Sequence, residues 1–233
     1  MKRRAPVSVI IPTFNAARRL PATLAALTPA SISGLIREGL VSDGGSSDET
    51  AAIAETAGAH LVAGEKGRGA QLARGAAASR GEWLLFLHAD TVLGEGWADD
   101  AARLIAGGKD RAGVFTLKFD GGGRAPAVVA AGAMIRTRFF ASPYGDQGLI
   151  VSRALYEELG GFRPLPLFED VDFIDRLLRA KGRKSLVILK STAATSPERY
   201  QRDGYARRVV KNALCLAMYR LGVAPEKIAA LYQ

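Results

Sequence analysis

The chain has 233 residues, of which 48% are hydrophobic and 24% are charged, the composition of a folded domain with a sizeable core. Its formal charge of +9 favours phosphorylated or polyanionic partners, but Lys and Arg are spread along the chain and aromatic residues make up only 7%, so we expect no nucleic-acid partner. One cysteine cannot form an internal disulfide and no apolar run reaches the roughly 18 residues of a spanning helix, so we expect a cytoplasmic protein that is not integral to a membrane.

Strands and helices alternate through residue 90. Short apolar runs ending near Gly, Pro or Asp predict strands at 7–12, 35–43, 59–64 and 82–90. Helical spacing and caps predict helices at 15–27, 46–58 and 69–81. This βαβ pattern predicts an α/β fold with a Rossmann-like, mostly parallel central sheet flanked by helices, and with polar chemistry at the carboxyl ends of its strands.

The pattern is less regular after residue 110. It predicts a strand at 112–119, a glycine-rich turn at 120–123, a helix at 126–138, a helix at 169–182 and a strand at 185–189. A basic amphipathic tail follows at 199–222. We expect its apolar stripe to cover the core, and its basic residues to offer peripheral contact with lipid phosphates at the inner face of the membrane, or contact with an anionic acceptor. The stripe comprises Val209, Val210, Ala213, Leu214, Ala217 and Met218, and the basic residues are Arg207, Arg208, Lys211 and Arg220. No linker or repeat interrupts the chain, which predicts one domain over 1–233.

Two segments between the early strands and helices are suited to bind a nucleotide. "VSDGGSSDET" places Asp43 at a strand end, followed by glycines that let a ligand approach closely, although a plain helix cap also explains its serines. "GEKGRGAQLARG" places Lys66 and Arg68 in a glycine-rich loop that opens a helix, where phosphate can bind. That loop has neither Walker nor dinucleotide spacing, and a solvated loop is its alternative interpretation.

Two further segments concentrate ionisable residues. His88-Ala89-Asp90 ends a buried strand, which favours either a metal site for a phosphorylated ligand or a strand that surfaces into a polar turn. A predicted helix begins with Glu169, Asp170 and Asp172. The helix dipole favours acidic residues at this end, but one of them could also act as a general base.

Taken in order, six segments resemble the family-2 glycosyltransferases with the GT-A fold over roughly residues 7–180. They are "VSVIIPTFN", "VSDGGSSDET", "KGRGAQLARG", "LLFLHADT", "GDQGLIVSR" and "GGFRPLPLFEDVDFIDRL". The sequence looks most similar to the small bacterial subgroup labelled arsenosugar-biosynthesis glycosyltransferases. The resemblance implies a donor-binding part over about 1–110, and an acceptor part with C-terminal helices over about 111–233.

The resemblance also implies roles for individual residues. Asp43 would bind the base, Asp90 would be a metal carboxylate for Mg²⁺ or Mn²⁺, and Glu169-Asp170 would be the catalytic pair with Asp170 as the base. The remaining nucleotide-sugar residues would be Pro12, Thr13, Asn15, Lys66, Arg68, His88 and Ala89, and the acceptor side would hold Asp146 and Gln147. Arg199 and Tyr200 resemble only distantly the Gln-x-x-Arg-Trp element of processive relatives.

The implied activity is inverting transfer of a sugar, a hexose by expectation, from a UDP- or GDP-sugar to an unknown acceptor hydroxyl. His88 stands where the first carboxylate of an Asp-x-Asp pair is expected, which leaves open a catalytically silent nucleotide-sugar-binding or membrane-associated scaffold. A sugar-phosphate nucleotidyltransferase is the further alternative, since it also combines a parallel sheet with a basic glycine loop and acidic metal ligands.

Overall fold

The computed structural model describes residues 5–232, and all structural statements concern that range. It contains one mixed α/β domain with eight strands and ten α-helices. The strands are β1 (Val7–Thr13), β2 (Ile36–Asp43), β3 (His60–Ala63), β4 (Trp83–Phe86), β5 (Thr91–Leu93), β6 (Ala112–Phe119), β7 (Leu149–Ser152) and β8 (Leu186–Thr195). The helices are α1 (Leu20–Ile32), α2 (Thr50–Thr56), α3 (Arg68–Ala78), α4 (Trp97–Ala106), α5 (Arg124–Phe140), α6 (Arg153–Glu158), α7 (Glu169–Lys181), α8 (Glu198–Asp203), α9 (Tyr205–Arg220) and α10 (Pro225–Tyr232).

All eight strands form a single sheet in the order β3-β2-β1-β4-β7-β6-β8-β5. The pairs β3–β2, β2–β1, β1–β4 and β6–β8 are parallel, whereas β4–β7, β7–β6 and β8–β5 are antiparallel. The expected mostly parallel sheet flanked by helices is therefore confirmed. The first four strands bring their carboxyl ends to one edge, and this edge positions the site.

The sheet is buried on both faces because helices cover each side. Along β1, Val9 and Ile11 belong to one core cluster and Ile10 to another, as alternate residues of a strand point to opposite faces. A third cluster joins the C-terminal helices to the start of α7 and contains the buried Cys215. Helices on both faces thus hold rigid the strands that carry the site.

Several predicted elements need correction. The strand expected at 82–90 ends at Phe86, and residues 87–90 leave the sheet before β5. The last strand runs to Thr195 instead of ending at residue 189. The basic tail is divided at Gly204 into α8 and α9. The elements that were not predicted from the sequence are β5, β7, α4, α6 and α10. None of the helices over 5–232 is long and apolar enough to cross a bilayer.

Most of the apolar stripe predicted to cover the core from the C-terminal tail does not do so, although Met218 packs against the third cluster. Val209, Val210 and Leu214 are exposed on α9, whereas Arg208 and Cys215 are its buried residues. The inner side of α9 instead presents Arg208 and Asn212 to the cavity, and Cys215 and Leu216 to the third cluster. The expectation was wrong in direction although its helical periodicity was right.

Candidate active site

A cavity of about 650 Å³ opens where the loops after β1 and β4 meet the C-terminal helices. This volume lies in the roughly 300–1,000 Å³ range of small-molecule sites. Ten of the residues predicted for the site line it, namely Pro12, Thr13, Asn15, Lys66, Arg68, His88, Ala89, Asp90, Asp146 and Asp170. Residues that lie far apart in the sequence are therefore brought together at the carboxyl edge of the sheet.

Asp43 joins the loops that follow β1 and β2. It accepts hydrogen bonds from the Thr13 hydroxyl (2.8 Å), from the side chain and N–H of Ser46, and from the N–H of Gly45. Burial opposes its ionisation, but these hydrogen bonds outweigh burial and lower the Asp43 pKa. Asp43 is not among the described residues that line the cavity, so its expected contact with a base stays a prediction.

The glycine-rich loop before α3 carries two cationic side chains to the cavity. The Lys66 ammonium lies 3.8 Å from the centre of the Phe14 ring, a cation–π contact. Gln71 fixes the loop, because its amide donates to the carbonyls of Thr13 (2.7 Å) and Ser42 (2.8 Å) while its oxygen accepts from the loop N–H of Gly67. Gln71 was not predicted from the sequence, because its function depends on two strand ends that lie far from it along the chain.

Glu169 lies behind Arg68 rather than in the cavity. Arg68 Nε is 3.5 Å from Glu169 Oε1, and the Glu169 side chain is 2% exposed. Burial raises the pKa of Glu169 to about 7, with the charge of Asp170 acting in the same direction and Arg68 opposing it. Burial also disfavours the charged form of Arg68, but the nearby carboxylates Glu169, Asp170 and Asp90 outweigh this and raise the Arg68 pKa.

Asp170 reaches the cavity from the first turn of α7. Its Oδ2 accepts the N–H of Gly145, and its Oδ1 accepts the N–H of Val171 (2.7 Å). The preceding Phe168 has a left-handed backbone (φ 66°), as does cavity residue Asn15 (φ 49°), and such strain in non-glycine residues often occurs at functional sites. The third acid of this segment, Asp172, instead pairs with Arg176 (2.7 Å) and supports the fold.

His88 and Asp170 flank Gly145. A Cβ at position 145 would lie 2.8 Å from His88 Nε2 and 3.3 Å from Asp170 Oδ2, so a larger residue would displace one of them. Burial, together with the positive charges of Arg68 and Arg199, lowers the pKa of His88 well below its usual value. The imidazole is therefore neutral near pH 7.

Asp146 and Gln147 lie in different environments, one at the cavity and the other in the core. Asp146 lines the cavity, and its Oδ1 is buried without a hydrogen-bond partner among residues 5–232. Burial raises the Asp146 pKa to about 6, and the negative charges of Asp170 and Asp90 add to the effect. Gln147 is fully buried, donates to the Phe115 carbonyl and accepts from the Thr137 hydroxyl. It does not line the cavity, and its assignment to the acceptor side stays a prediction.

A family model described as "Glycosyl transferase family 2" matches residues 8–141, which is more than half of the 233 residues. The chain belongs to glycosyl transferase family 2. No curated protein matches its sequence. The predicted family is confirmed, whereas the arsenosugar subgroup stays a prediction.

Solved structures share the fold of this family-2 chain. Glucosyl-3-phosphoglycerate synthase from Mycobacterium tuberculosis, solved with Mn²⁺, UDP-glucose and phosphoglyceric acid, has a TM-score of 0.61 and 21% identity over 90% of this chain and 78% of its own. S. aureus TarS 1-349 has a TM-score of 0.62 and 21% identity over 91% of this chain, which spans only 64% of that protein. At such identities the likeness shows the fold alone.

The predicted metal site of this family-2 chain depends on which side chains could act as metal ligands. Among the described residues, no three His, Cys, Asp or Glu side chains converge on a point that could hold a metal ion. Asp90 lines the cavity, and Mg²⁺ is commonly bound by one or two carboxylates together with substrate phosphates. These ligands thus fit a metal ion that binds together with a diphosphate, and they do not fit a metal ion held by protein side chains alone.

The C-terminal helices form one wall of the cavity, and this wall lies outside residues 8–141, which the family model matches. Their contributions, which the predicted site omitted, are Arg199, Tyr200, Arg208, Asn212 and Tyr232. Arg199 is exposed and forms no salt bridge with any described residue, and Asn212 has a buried Oδ1 without a partner. Burial raises the Tyr200 pKa to about 12, with Asp146 adding to it. The only sequence signal was the weak "SPERY" resemblance, because helical spacing does not reveal which face borders a cavity.

Proposed function

We propose that the protein is an inverting glycosyltransferase that transfers a sugar, by expectation a hexose, from a nucleoside diphosphate to an acceptor hydroxyl in the cytoplasm. The observation that carries this proposal is the convergence of Lys66, Arg68 and Asp90 with Asp170 in one cavity. Cations suited to a diphosphate and a carboxylate suited to proton removal are the two chemical requirements of this transfer. Membership of glycosyl transferase family 2 supports the same class of reaction.

The donor, a UDP- or GDP-sugar, would lie against the ends of β1 and β4. Pro12, Thr13 and Asn15 border the part assigned to the nucleoside, and Lys66 and Arg68 attract the diphosphate by charge. A divalent ion, Mg²⁺ or Mn²⁺, would be held by Asp90 together with phosphate oxygens, and it would supply further positive charge to the leaving group.

In the proposed step, Asp170 takes the proton of the acceptor hydroxyl. The acceptor oxygen then bonds to the anomeric carbon as the bond from that carbon to the diphosphate oxygen breaks, which inverts the configuration. The N–H groups of Gly145 and Val171 hold the carboxylate of Asp170 in place for this transfer. The electron pair of the broken bond leaves with the diphosphate, whose charge Lys66 and Arg68 offset.

Glu169 acts in this scheme as a positioning residue. It contacts Arg68 from behind the cavity wall, so it orients the guanidinium without touching substrate. On the acceptor side, the free Oδ1 of Asp146 can accept a hydrogen bond from an acceptor hydroxyl, and the faces of Tyr144 and Tyr200 can pack against a sugar or polyol.

The test is a thermal-shift panel of UDP, GDP, TDP and CDP with and without Mn²⁺, followed by turnover of the matching nucleotide sugars. We expect one nucleotide to give a selective, metal-dependent shift and its sugar to be transferred or hydrolysed. A selective shift without either reaction would favour the nucleotide-sugar-binding scaffold. Release of pyrophosphate from a nucleoside triphosphate and a sugar phosphate would instead identify a nucleotidyltransferase.

A further inference from the structure

Helices α5 and α9 contact each other and together present an apolar surface to solvent. This surface, the α5–α9 face, consists of Val128, Ile135, Phe139 and Phe140 of α5 and Val209, Val210 and Leu214 of α9, which are 42% to 72% exposed. These seven are most of the eleven large apolar side chains exposed over residues 5–232. Exposed apolar patches of this kind commonly mark a site that binds another protein or a membrane.

The orientation of both helices is opposite to that of ordinary surface helices. The only buried residues of α5 are Pro126 and Thr137, and those of α9 are Arg208 and Cys215. A surface helix normally turns its apolar stripe to the core, because this removes apolar area from water. The inner side of α9 lines the cavity through Arg208 and Asn212, and α5 packs against β6. The exposed apolar area of the face can therefore be buried only by a partner outside the described chain.

The charges around the face identify its partner. Neither α5 nor α9 contains Asp or Glu. Arg124 and Arg138 of α5 and Arg207 of α9 are exposed and form no salt bridge with a described residue. At the end of α5, the Arg183 guanidinium donates to the carbonyl oxygens of Arg138 and Phe139, and Lys184 beside it is exposed. Two exposed phenylalanines are thus accompanied by several cationic side chains.

This charge favours an anionic lipid surface over a second copy of the chain. Two copies joined through the α5–α9 face would bring two basic surfaces together, which like-charge repulsion opposes. Lipid phosphates attract the cations, and acyl chains accept the aromatic and aliphatic side chains, so one partner satisfies both features.

We propose that the α5–α9 face docks the protein on an anionic membrane surface. Phe139 and Phe140 enter the interface between headgroups and acyl chains, while Arg138, Arg183 and Lys184 meet headgroup phosphates. Because the inner side of α9 lines the cavity with Arg208 and Asn212, docking brings that wall of the cavity close to the lipid. This inference does not rest on the proposed reaction, since it concerns the outer sides of the two helices.

The test is co-sedimentation of the full chain with vesicles of phosphatidylcholine alone and of phosphatidylcholine mixed with phosphatidylglycerol. We expect the protein to sediment with the anionic vesicles, and less so as salt is raised. A basic protein can also bind by charge alone, so the deciding variant is Phe139→Ser with Phe140→Ser. It should lower the partition to anionic vesicles by about tenfold or more, as loss of two aromatic insertions predicts.

Two comparisons make the result specific. Ile32→Ser removes an apolar side chain that is 83% exposed at the end of α1, away from the face, and should leave partition unchanged. Arg138→Gln with Lys184→Gln should reduce the preference for anionic over neutral vesicles. Circular dichroism and the thermal midpoint should show that each variant remains folded.

The inference fails if the wild type stays in solution with anionic vesicles, or if the Phe139→Ser, Phe140→Ser variant sediments as the wild type does. It also fails if ultracentrifugation shows a dimer that this variant dissociates, because the face would then join two copies. Nucleotide binding by the same variants is measured in parallel, so failure of docking is distinguished from failure of the proposed transfer.

Discussion

Arg68 Nε lies 3.5 Å from Glu169 Oε1, and this ion pair joins the glycine-rich loop to the acidic start of α7. Glu169 is buried and Arg68 borders the cavity, so the acid orients the cation from behind. The pair also brings Asp170, the next residue, to the same wall as the loop. Two segments that lie about 100 residues apart in the sequence therefore form one structural unit.

Glu169 should make stability depend on pH. Its pKa rises from the ordinary 4.5 to about 7 in the folded protein, so the folded state holds a proton that the unfolded state has lost between these two values. The resulting contribution to the free energy of unfolding is fully present below pH 4.5 and is lost as the pH rises through about 7. Glu169→Gln keeps a neutral side chain, so the free energy of unfolding of the wild type should fall relative to the variant by about 1.4 kcal/mol per pH unit in that window. Urea unfolding across the window measures this, and Glu55→Gln, an exposed site on α2, should show no such trend.

Asp170→Asn should reduce turnover by about 10²- to 10⁴-fold, since the amide cannot take up the acceptor proton. Donor affinity should stay within about twofold, because the variant keeps the shape of the side chain and an oxygen for the Gly145 N–H. Initial rates and donor titration measure the two effects. Asp175→Asn on the same helix is the control, and its loss of a partly exposed pair with Arg220 should leave both values near those of the wild type. Turnover retained by Asp170→Asn would contradict the assignment of the base.

Asp90→Ala should remove the contribution of Mn²⁺ to nucleotide binding. We expect affinity for the nucleotide in Mn²⁺ to fall by about tenfold, which corresponds to ~1.4 kcal/mol, and to become insensitive to EDTA. Asp99→Ala, at an exposed position of α4, is the matched control. Equal metal dependence in wild type and Asp90→Ala would show that the metal carboxylate is elsewhere.

Gly69 allows the start of α3 to approach the loop before α7. A Cβ there would lie 2.2 Å from the Arg163 carbonyl oxygen and 3.1 Å from the Leu165 nitrogen, both backbone atoms. Gly69→Ala should therefore destabilise the protein by about 1–3 kcal/mol and weaken donor binding through Arg68.

The control for Gly69 is another glycine inside a helix. Gly132 of α5 has open space where a Cβ would lie, so Gly132→Ala should stabilise the protein by up to ~1 kcal/mol. Urea midpoints of the two variants should move in opposite directions. A shift in the same direction would mean that steric contact does not decide the effect at Gly69.

Local patterns in the sequence predicted the helices and strands well where glycine or acidic residues mark their ends. The strand expected at 112–119 coincides with β6, and the helix expected from residue 169 coincides with the start of α7. Asp120 directly follows β6, and α7 begins at Glu169 and is followed by Gly182, residues whose effect on the backbone is local. The four-residue β7 was missed because such a short apolar run has too little periodicity to be distinguished from a loop.

The sequence by itself determined the alternation of strands and helices, and the residue types that follow each strand, since both depend on neighbours along the chain. Only the tertiary structure decided that Arg68, Asp90 and Asp170 share one cavity, that Gln147 is enclosed in the core, and that the apolar side of α9 faces outward. These outcomes depend on which distant segments pack together. Periodicity defines the face of a helix, but the segments that pack against α9 in the fold determine the direction in which that face points.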